Sequence, residues 1–179
     1  LDEGFDIARG VEGVSQPRVR EYMTAFGGVW KGLTRAGSDW SAKTAVNKRT
    51  LVRIARKATQ VPEGFSAYRK LQRLLASRLD MAEGQTPMDW GCAEMLAFGS
   101  LLLEGTSIRL SGQAAQRGTF SHRHSVWHDH DNGQLYFPLA HLAEEQGHFT
   151  VINSMLSELA VLGFEYGISS ADPRGLTLW

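Results

Sequence analysis

Apolar residues recur at helical spacing in two basic segments in the first half of the chain. The segment KTAVNKRTLVRIARKA, residues 43–58, places lysine and arginine between apolar positions, and YRKLQRLLASRLDMAEG, residues 68–84, does the same. The apolar positions are Leu51, Ile54, Ala55 and Ala58 in the first segment and Leu71, Leu74, Leu75 and Leu79 in the second. This pattern predicts two amphipathic helices whose basic residues form a solvated face. Between them, QVPEGFS predicts a turn, because Pro62 and Gly64 interrupt regular structure.

The pattern changes after EGQTPMD. Thr86 is predicted to cap a third helix, with Pro87 at its first position and Asp89 in its first turn. This helix, MDWGCAEMLAFGSLLLEG, is expected to end at Gly105.

Three short segments in the second half have the pattern of strands. In TSIRLSG, Ile108 and Leu110 share one face, and HFTVIN and RGLTLW are the other two strand candidates. The segment SMLSELAVLGFEYGISSA, residues 154–171, predicts a helix between the last two. Helices that alternate with strands predict an α/β fold.

The late helix has apolar residues on nearly every side. They are Leu156, Leu159, Val161, Leu162, Phe164 and Ile168. Such a helix is expected to be buried, so Glu158 at its start would enter the core, where an ionised carboxylate is costly without a partner. Alternatively, Glu158 is stabilised by the amino end of the helix and still reaches water. Glu165, two turns further on, is expected to be a surface or packing residue.

Composition and charge narrow the classes of function. A chain of 179 residues with 42% hydrophobic content can bury a core. Nineteen basic residues balance nineteen acidic ones, so no overall charge favours nucleic acid or an anionic membrane as partner. Cys92 has no partner for a disulfide, no apolar run reaches membrane-spanning length, and LDEGFDIARG lacks the order of a signal peptide. We therefore expect a reducing, cytoplasm-like compartment.

Five motifs, in order along the chain, resemble the first component of 2-oxoglutarate dehydrogenase, a thiamine-diphosphate-dependent decarboxylase. They are MDWGCAEMLAFGSLL, IRLSGQ, RGTFSHRH, LSELAVLGFEYG and LTLW. VPEGF and KLQRLLASRLDMAEG also resemble the helical segment that precedes the pyrimidine-binding domain in that family. The resemblance implies a helical linker segment at residues 1–85 that packs on a neighbouring domain. Residues 86–179 would be the amino-terminal part of a transketolase-like pyrimidine-binding domain with a mainly parallel sheet, truncated at its carboxyl end.

The resemblance also implies an activity and its partners. The family decarboxylates 2-oxoglutarate oxidatively and transfers the succinyl group to a lipoyl group of the dihydrolipoyl succinyltransferase component, as part of the tricarboxylic acid cycle. It works as a homodimer with thiamine diphosphate and Mg²⁺, the metal being bound by the preceding domain, in the bacterial cytoplasm or the mitochondrial matrix. Two alternatives stay open: a 2-oxoadipate dehydrogenase of the same family, and a non-catalytic α/β module that only binds partners.

Four residues match functional positions of the family. Glu158 matches the glutamate that hydrogen-bonds the aminopyrimidine ring and relays a proton, a role in which burial would let it share a proton with a ring nitrogen at neutral pH. Gln113 and Leu156, with the residue before Leu156, would line the pyrimidine pocket, although Leu156 could equally be a core residue. His124, in the RGTFSHRH loop near the family's active site, would contact the substrate or another subunit.

The remaining histidines offer no strong metal signal. HRH and HDH would each place two imidazoles on one side of a strand. The DNG that follows HDH, however, is a turn signal and predicts the end of a hairpin. No metal site is predicted, and His128, His130, His141 and His148 are expected on the surface.

The chain also departs from the family. Ala114 follows Gln113 where the family usually has an acidic residue, which implies a weaker polar network at the pocket. The family continues beyond the position of Trp179 into an aromatic, acidic motif, and its Gly-Asp-Gly metal motif belongs to a domain before Leu1. The resemblance thus implies a fragment that is inactive alone.

Overall fold

The computed structural model describes residues 28–179, in two compact units that divide between Trp40 and Ser41. Of the first unit, residues 28–40 are described, and they form turns at residues 29–32 and 38–39. The part of the predicted helical segment at residues 1–27 lies outside the described residues. The second unit, residues 41–179, carries every helix and strand described below.

Three helices open the second unit: α1 (Lys48–Ala58), α2 (Arg69–Glu83) and α3 (Trp90–Leu103). The first two are the predicted amphipathic helices, and each buries one face. In α1 the core side chains are Ile54, Ala55 and Ala58. Gly84 ends α2 in the left-handed conformation that glycine adopts without strain, and its N–H donates to the Asp80 and Met81 carbonyls.

The amino end of α3 differs from the prediction. The cap is Asp89, whose carboxylate accepts a hydrogen bond from the Cys92 N–H at 2.7 Å, and the helix begins at Trp90. The predicted cap at Thr86 is therefore wrong. Both residues are good caps by type, but only Asp89 directly precedes the helix and reaches its free N–H groups.

A three-stranded parallel sheet forms the centre of the unit. It contains β1 (Ile108–Gly112), β4 (Phe149–Asn153) and β5 (Leu176–Leu178), with β1 between the other two. Ile108 pairs with Phe149 on one side and with Leu176 on the other. The predicted α/β fold with a mainly parallel sheet is confirmed.

A hairpin lies between β1 and β4. Its strands are β2 (Trp127–His128) and β3 (Leu135–Tyr136), and the short 3-10 helix Pro138–His141 follows. The DNG segment forms the turn, as predicted. Asp129 organises this region, because its buried carboxylate accepts hydrogen bonds from the N–H groups of Ser66, Asp131 and Asn132.

The two faces of β1 contact different helices. Ile108 and Leu110 are buried in the core that includes Phe98 and Leu102 of α3. Arg109 and Ser111, which alternate with them, hydrogen-bond to Glu165 of the last helix, α4 (Glu158–Ala171). The sheet is thus a layer between α3 and α4.

Helix α4 was predicted to be buried, and this prediction is wrong. It contacts β1 and β5, and its buried residues are Val161 and Glu165. Most of its apolar side chains are exposed, among them Leu159, Leu162 and Phe164. A helix with apolar residues all round is usually buried on all sides. In residues 28–179, however, α4 is buried only on the side that contacts β1 and β5.

Candidate functional site

A groove of about 410 Å³ lies at the carboxyl edge of the parallel sheet. Gln113, Ser154 and Trp179, each of which directly follows one of the three strands, line it. Met155, Leu156, Glu158 and Val161 complete the wall. Open α/β sheets bind ligands at this edge, because the loops there leave a crevice between the helices.

The groove brings together three of the four residues singled out from the sequence: Gln113, Leu156 and Glu158. Each has a polar or apolar part that could contact a small planar ring. Gln113 offers an amide, Leu156 a hydrophobic surface and Glu158 a carboxylate. Leu156 is exposed on the groove wall, so the alternative of a core position is wrong.

Glu158 occupies the first position of α4. Ser157 caps this helix, with its hydroxyl accepting from the Ala160 N–H at 3.4 Å. A carboxylate in the first turn is favoured by the positive end of the helix dipole. Glu158 is exposed, so its predicted burial is wrong for this chain and the alternative, a carboxylate that reaches water, is correct.

A second groove, of about 570 Å³, lies between α3 and the same edge of the sheet. Phe98, Leu110 and Leu178 form apolar parts of its wall, and Glu94 and Arg123 add charge. Gln113 and Trp179 line both grooves, so these two side chains separate them.

Glu165 forms a buried charge pair that the sequence did not predict. Its carboxylate, 4% exposed, accepts two hydrogen bonds from Arg109 at 2.7 and 3.0 Å and one from the Ser111 hydroxyl at 2.8 Å. Burial by itself would raise the pKa of Glu165, but the hydrogen bonds and the Arg109 charge together outweigh burial and hold the pKa below its ordinary value. The expectation of a surface or simple packing residue is wrong.

His124 lies away from the groove that contains Glu158. It lines a separate, very small cavity with Arg78, Glu94 and Arg123. Its backbone is left-handed, with φ of 46°. Burial, and then the positive charges of Arg78 and Arg117, lower the pKa of His124 against an opposing backbone hydrogen bond at Ser121, so the imidazole is neutral at pH 7.

The loop between β1 and the hairpin is held by many hydrogen bonds. The N–H groups of Arg123 and His124 both donate to the Arg117 carbonyl at 3.0 Å. Arg123 also forms a two-point ion pair with Glu94 at 2.6 and 2.9 Å. Ala114, where the resemblance implies an acidic residue, is left-handed with φ of 52°, a conformation that Asp or Asn adopts more readily than Ala.

The other histidines lie where they were expected. His128, His130, His141 and His148 are exposed. Within residues 28–179, no three His, Cys, Asp or Glu side chains lie close enough to share a metal ion. Along the same residues, no helix has the length and apolar character that a membrane crossing requires.

Several residues of these sites were not found from the sequence. Trp179 was predicted as part of a strand, yet it follows β5 directly. The carboxyl ends of parallel strands meet at one edge, so the residue at or just after the end of each predicted strand was a usable signal. Arg78 and Glu94 gave no such signal, because an ionic residue on a helix is usually solvated.

The sequence of this chain is similar to those of known proteins. A family model described as "Transketolase, pyrimidine binding domain" matches residues 86–179. Over 155 residues the chain is 50% identical to the "2-oxoglutarate dehydrogenase E1 component" of Brucella ovis and to that of Brucella canis, and this covers 85% of the chain. The protein of the same description from Rickettsia conorii is 46% identical over 154 residues, 86% of the chain. The chain spans 15% of the length of the Brucella proteins and 16% of the Rickettsia protein.

Proposed function

Because the chain belongs to the transketolase pyrimidine-binding domain family, we propose that it forms the pyrimidine side of the thiamine diphosphate site in a 2-oxoglutarate dehydrogenase first component. The observation that carries this proposal is the groove at the carboxyl edge of the sheet, where Gln113, Leu156 and Glu158 meet. The similarity to 2-oxoglutarate dehydrogenase first components supports the same substrate class.

The groove residues fit the aminopyrimidine ring of this cofactor. A flat aromatic ring needs apolar contact on its faces, which Leu156 and Val161 provide. Its ring nitrogen needs a partner that can hold a proton, and the Glu158 carboxyl group is such a partner on the same wall. Gln113, which also lines the groove, offers an amide donor and acceptor.

Thiamine diphosphate supplies the nucleophilic carbon and the electron sink for decarboxylation of a 2-oxo acid. The part of Glu158 in this chemistry is to hold a proton at its carboxyl group against a nitrogen of the bound ring. An exposed carboxylate does this poorly, because water competes for the proton. We therefore propose that a second subunit covers the exposed face of α4 in a homodimer and takes Glu158 out of water.

His124 has a different proposed role from Glu158, since the two residues line separate cavities. A neutral imidazole can donate one hydrogen bond and accept another. We propose that His124 contacts the 2-oxoglutarate substrate, and that the dihydrolipoyl succinyltransferase component receives the succinyl product. Residues of a preceding domain would bind Mg²⁺, and the complex would work in the bacterial cytoplasm or the mitochondrial matrix as part of the tricarboxylic acid cycle.

The test is the reduction of ferricyanide by the full-length gene product that carries this chain, with thiamine diphosphate, Mg²⁺ and 2-oxoglutarate. Glu158→Gln keeps the size of the side chain and removes its ability to hold the proton. We expect kcat to fall by about 100-fold or more. Glu144→Gln, a change at an exposed glutamate outside the groove, is the control and should leave kcat unchanged.

Two outcomes would contradict the proposal. Activity of the Glu158→Gln protein equal to that of the control would remove Glu158 from the chemistry. Activity that does not require thiamine diphosphate would remove the cofactor. Parallel assays with 2-oxoadipate compare kcat/KM for the two substrates. We expect the value to be higher for 2-oxoglutarate, and a higher value for 2-oxoadipate would favour the alternative substrate.

A further inference from the structure

Arg78 is a buried arginine on α2 that contacts the histidine loop, residues 113–126 between β1 and β2. Its side chain is 3% exposed, and it forms none of the ion pairs within residues 28–179. One guanidinium nitrogen, Nη2, donates to two consecutive carbonyls, those of His122 at 2.7 Å and Arg123 at 2.6 Å. Nη1 contacts the Met95 sulfur at 3.8 Å, and the buried Nε has no hydrogen-bond partner.

This arrangement is costly for stability alone. A buried guanidinium loses its hydration, and without a carboxylate partner the loss is only partly recovered. Burial accordingly lowers the pKa of Arg78, against the attraction of neighbouring acidic groups that include Asp89 and Glu94. An apolar residue would fill the same space without this cost.

What the guanidinium contributes is control of a strained backbone. The two carbonyls that it binds directly precede His124, which is left-handed, and Ser121 just before them is left-handed as well. Such conformations persist in non-glycine residues when the surrounding contacts hold them. On its other side the His122 carbonyl oxygen packs so closely on Gly91 of α3 that a Cβ there would overlap with it.

We infer that Arg78 is a positioning residue: by holding the His122 and Arg123 carbonyls it sets the place and orientation of His124. The inference rests on the proposed function for its catalytic consequence, although the positioning itself does not depend on it. Arg78 lies before the residues that the family model matches, 86–179. A helix outside that match therefore takes part in the site.

Two independent substitutions disturb the same carbonyls. Arg78→Met keeps the length of the side chain and removes the donors. Gly91→Ala leaves Arg78 intact and pushes the His122 carbonyl with a methyl group, while alanine is the better helix former. Arg73→Met, at an exposed arginine of the same helix, is the matched control.

In the full-length gene product we expect both Arg78→Met and Gly91→Ala to lower kcat/KM for 2-oxoglutarate by about 10- to 100-fold, because a small displacement of a contacting group is enough for such a loss. The Kd for thiamine diphosphate should stay within about twofold of the control, since the groove with Glu158 is separate from His124. Arg78→Lys keeps the charge but loses the guanidinium shape, and it should recover only part of the activity.

A second readout follows His124 directly by NMR of labelled histidine, with the signal assigned by its loss in His124→Gln. The charged groups around the imidazole are Arg78 on α2, Arg117 and His122 in its own loop, and Glu94 and Arg123 in the same cavity. Removal of the Arg78 charge should raise the pKa of His124 and move its midpoint in the pH profile upward. Gly91→Ala should shift the resonance with the charge still present.

The inference is overturned if kcat/KM in both variants equals that of Arg73→Met, or if the loss is matched by an equal loss of cofactor affinity. Should Arg78→Met not fold, Arg78→Lys and Gly91→Ala decide. If the unsubstituted full-length gene product has no thiamine-dependent activity, the proposed function is refuted, but the inference about Arg78 is not. The NMR signal then decides on Arg78: an unmoved His124 in the variants overturns the inference, and a displaced one supports it.

Discussion

One buried acidic side chain, Glu165, links α4 to the central strand. Its three hydrogen bonds come from Arg109 and Ser111, both on β1. Arg109 also stacks over the Phe164 ring at 5.6 Å from its centroid. Glu165 therefore fixes the rotation of α4, and with it the side of the helix on which Glu158 faces the groove.

Substitution of this carboxylate should destabilise the protein strongly. Glu165→Gln leaves Arg109 partly buried without a counter-charge, and we expect a loss of about 3 kcal/mol in the free energy of unfolding. The control is Glu83→Gln, which breaks the exposed Arg56–Glu83 pair and should cost less than about 1 kcal/mol. Urea unfolding of the two variants measures both values. Equal effects would show that burial of the Glu165 pair adds nothing.

The same residue predicts a pH dependence. The pKa of Glu165 is lower in the folded protein than its ordinary value. The ionised carboxylate thus contributes stability that is fully present above the ordinary carboxyl pKa and is lost as the pH falls through the folded-state value. The stability difference between the native protein and Glu165→Gln should shrink over that acidic range. A difference that is constant down to the folded-state pKa would contradict this assignment.

Sequence reasoning missed Glu165 for a physical reason. Its partners lie on a strand far earlier in the chain, and a periodic pattern on one helix carries no information about them. By contrast, the alternation of Ile108 and Leu110 located β1 correctly, because that signal is local. Residues whose environment is set by distant contacts are those that the pattern did not place.

At the scale of elements, the start of α3 shows how one cap decides a boundary. Asp89 accepts the Cys92 N–H, whereas Thr86 makes no such contact with the helix that begins at Trp90. Helix α3 packs on α1 and on β1, so its first turn affects the shared core.

Asp89→Ala should cost about 1 kcal/mol of stability, because the first turn of α3 loses its side-chain acceptor. Thr86→Ala is the matched control, and we expect a change of no more than a few tenths of a kcal/mol. Thermal unfolding followed by circular dichroism distinguishes the two. A larger effect of Thr86→Ala would restore the sequence-based cap.

The same comparison applies to α4. Its position and the neighbouring strands β1 and β5 were predicted from the apolar pattern, whereas the parallel pairing of the strands was implied by the resemblance. Its burial was not, because an apolar helix shows that cover is needed and does not show which segment supplies it. The candidate site divides likewise: Gln113, Leu156 and Glu158 were found through resemblance, while Arg78 required the folded contacts.

At the scale of the whole molecule, the main feature is that α4 exposes apolar side chains. Leu159 is 81% exposed and Tyr166 75%, and Met155, just before the helix, is 98% exposed. Leu159 and Tyr166 are two turns apart and share a face of the helix. Contiguous apolar surface of this kind drives association.

We therefore expect the chain to self-associate in a concentration-dependent manner. Leu159→Gln and Tyr166→Gln should each weaken association by about tenfold. Each removes apolar surface from the interface, and a tenfold loss corresponds to about 1.4 kcal/mol of association free energy. Phe120→Ser, at an equally exposed aromatic residue in the histidine loop, is the control and should have no effect. Sedimentation velocity measures all three, and a loss of association in the control alone would place the interface elsewhere.

The central position of β1 has a consequence for biosynthesis. Both of its sheet neighbours come later in the chain, since Ile108 pairs with Phe149 and Leu176. Within residues 28–179 no strand precedes β1, so in this part of the chain β1 first gains a strand partner when β4 has been made. Helices α1–α3 precede it and can form from local contacts. We therefore expect a stage of translation at which α1–α3 have formed while β1 still lacks β4 and β5, and exposed strand edges of this kind favour aggregation.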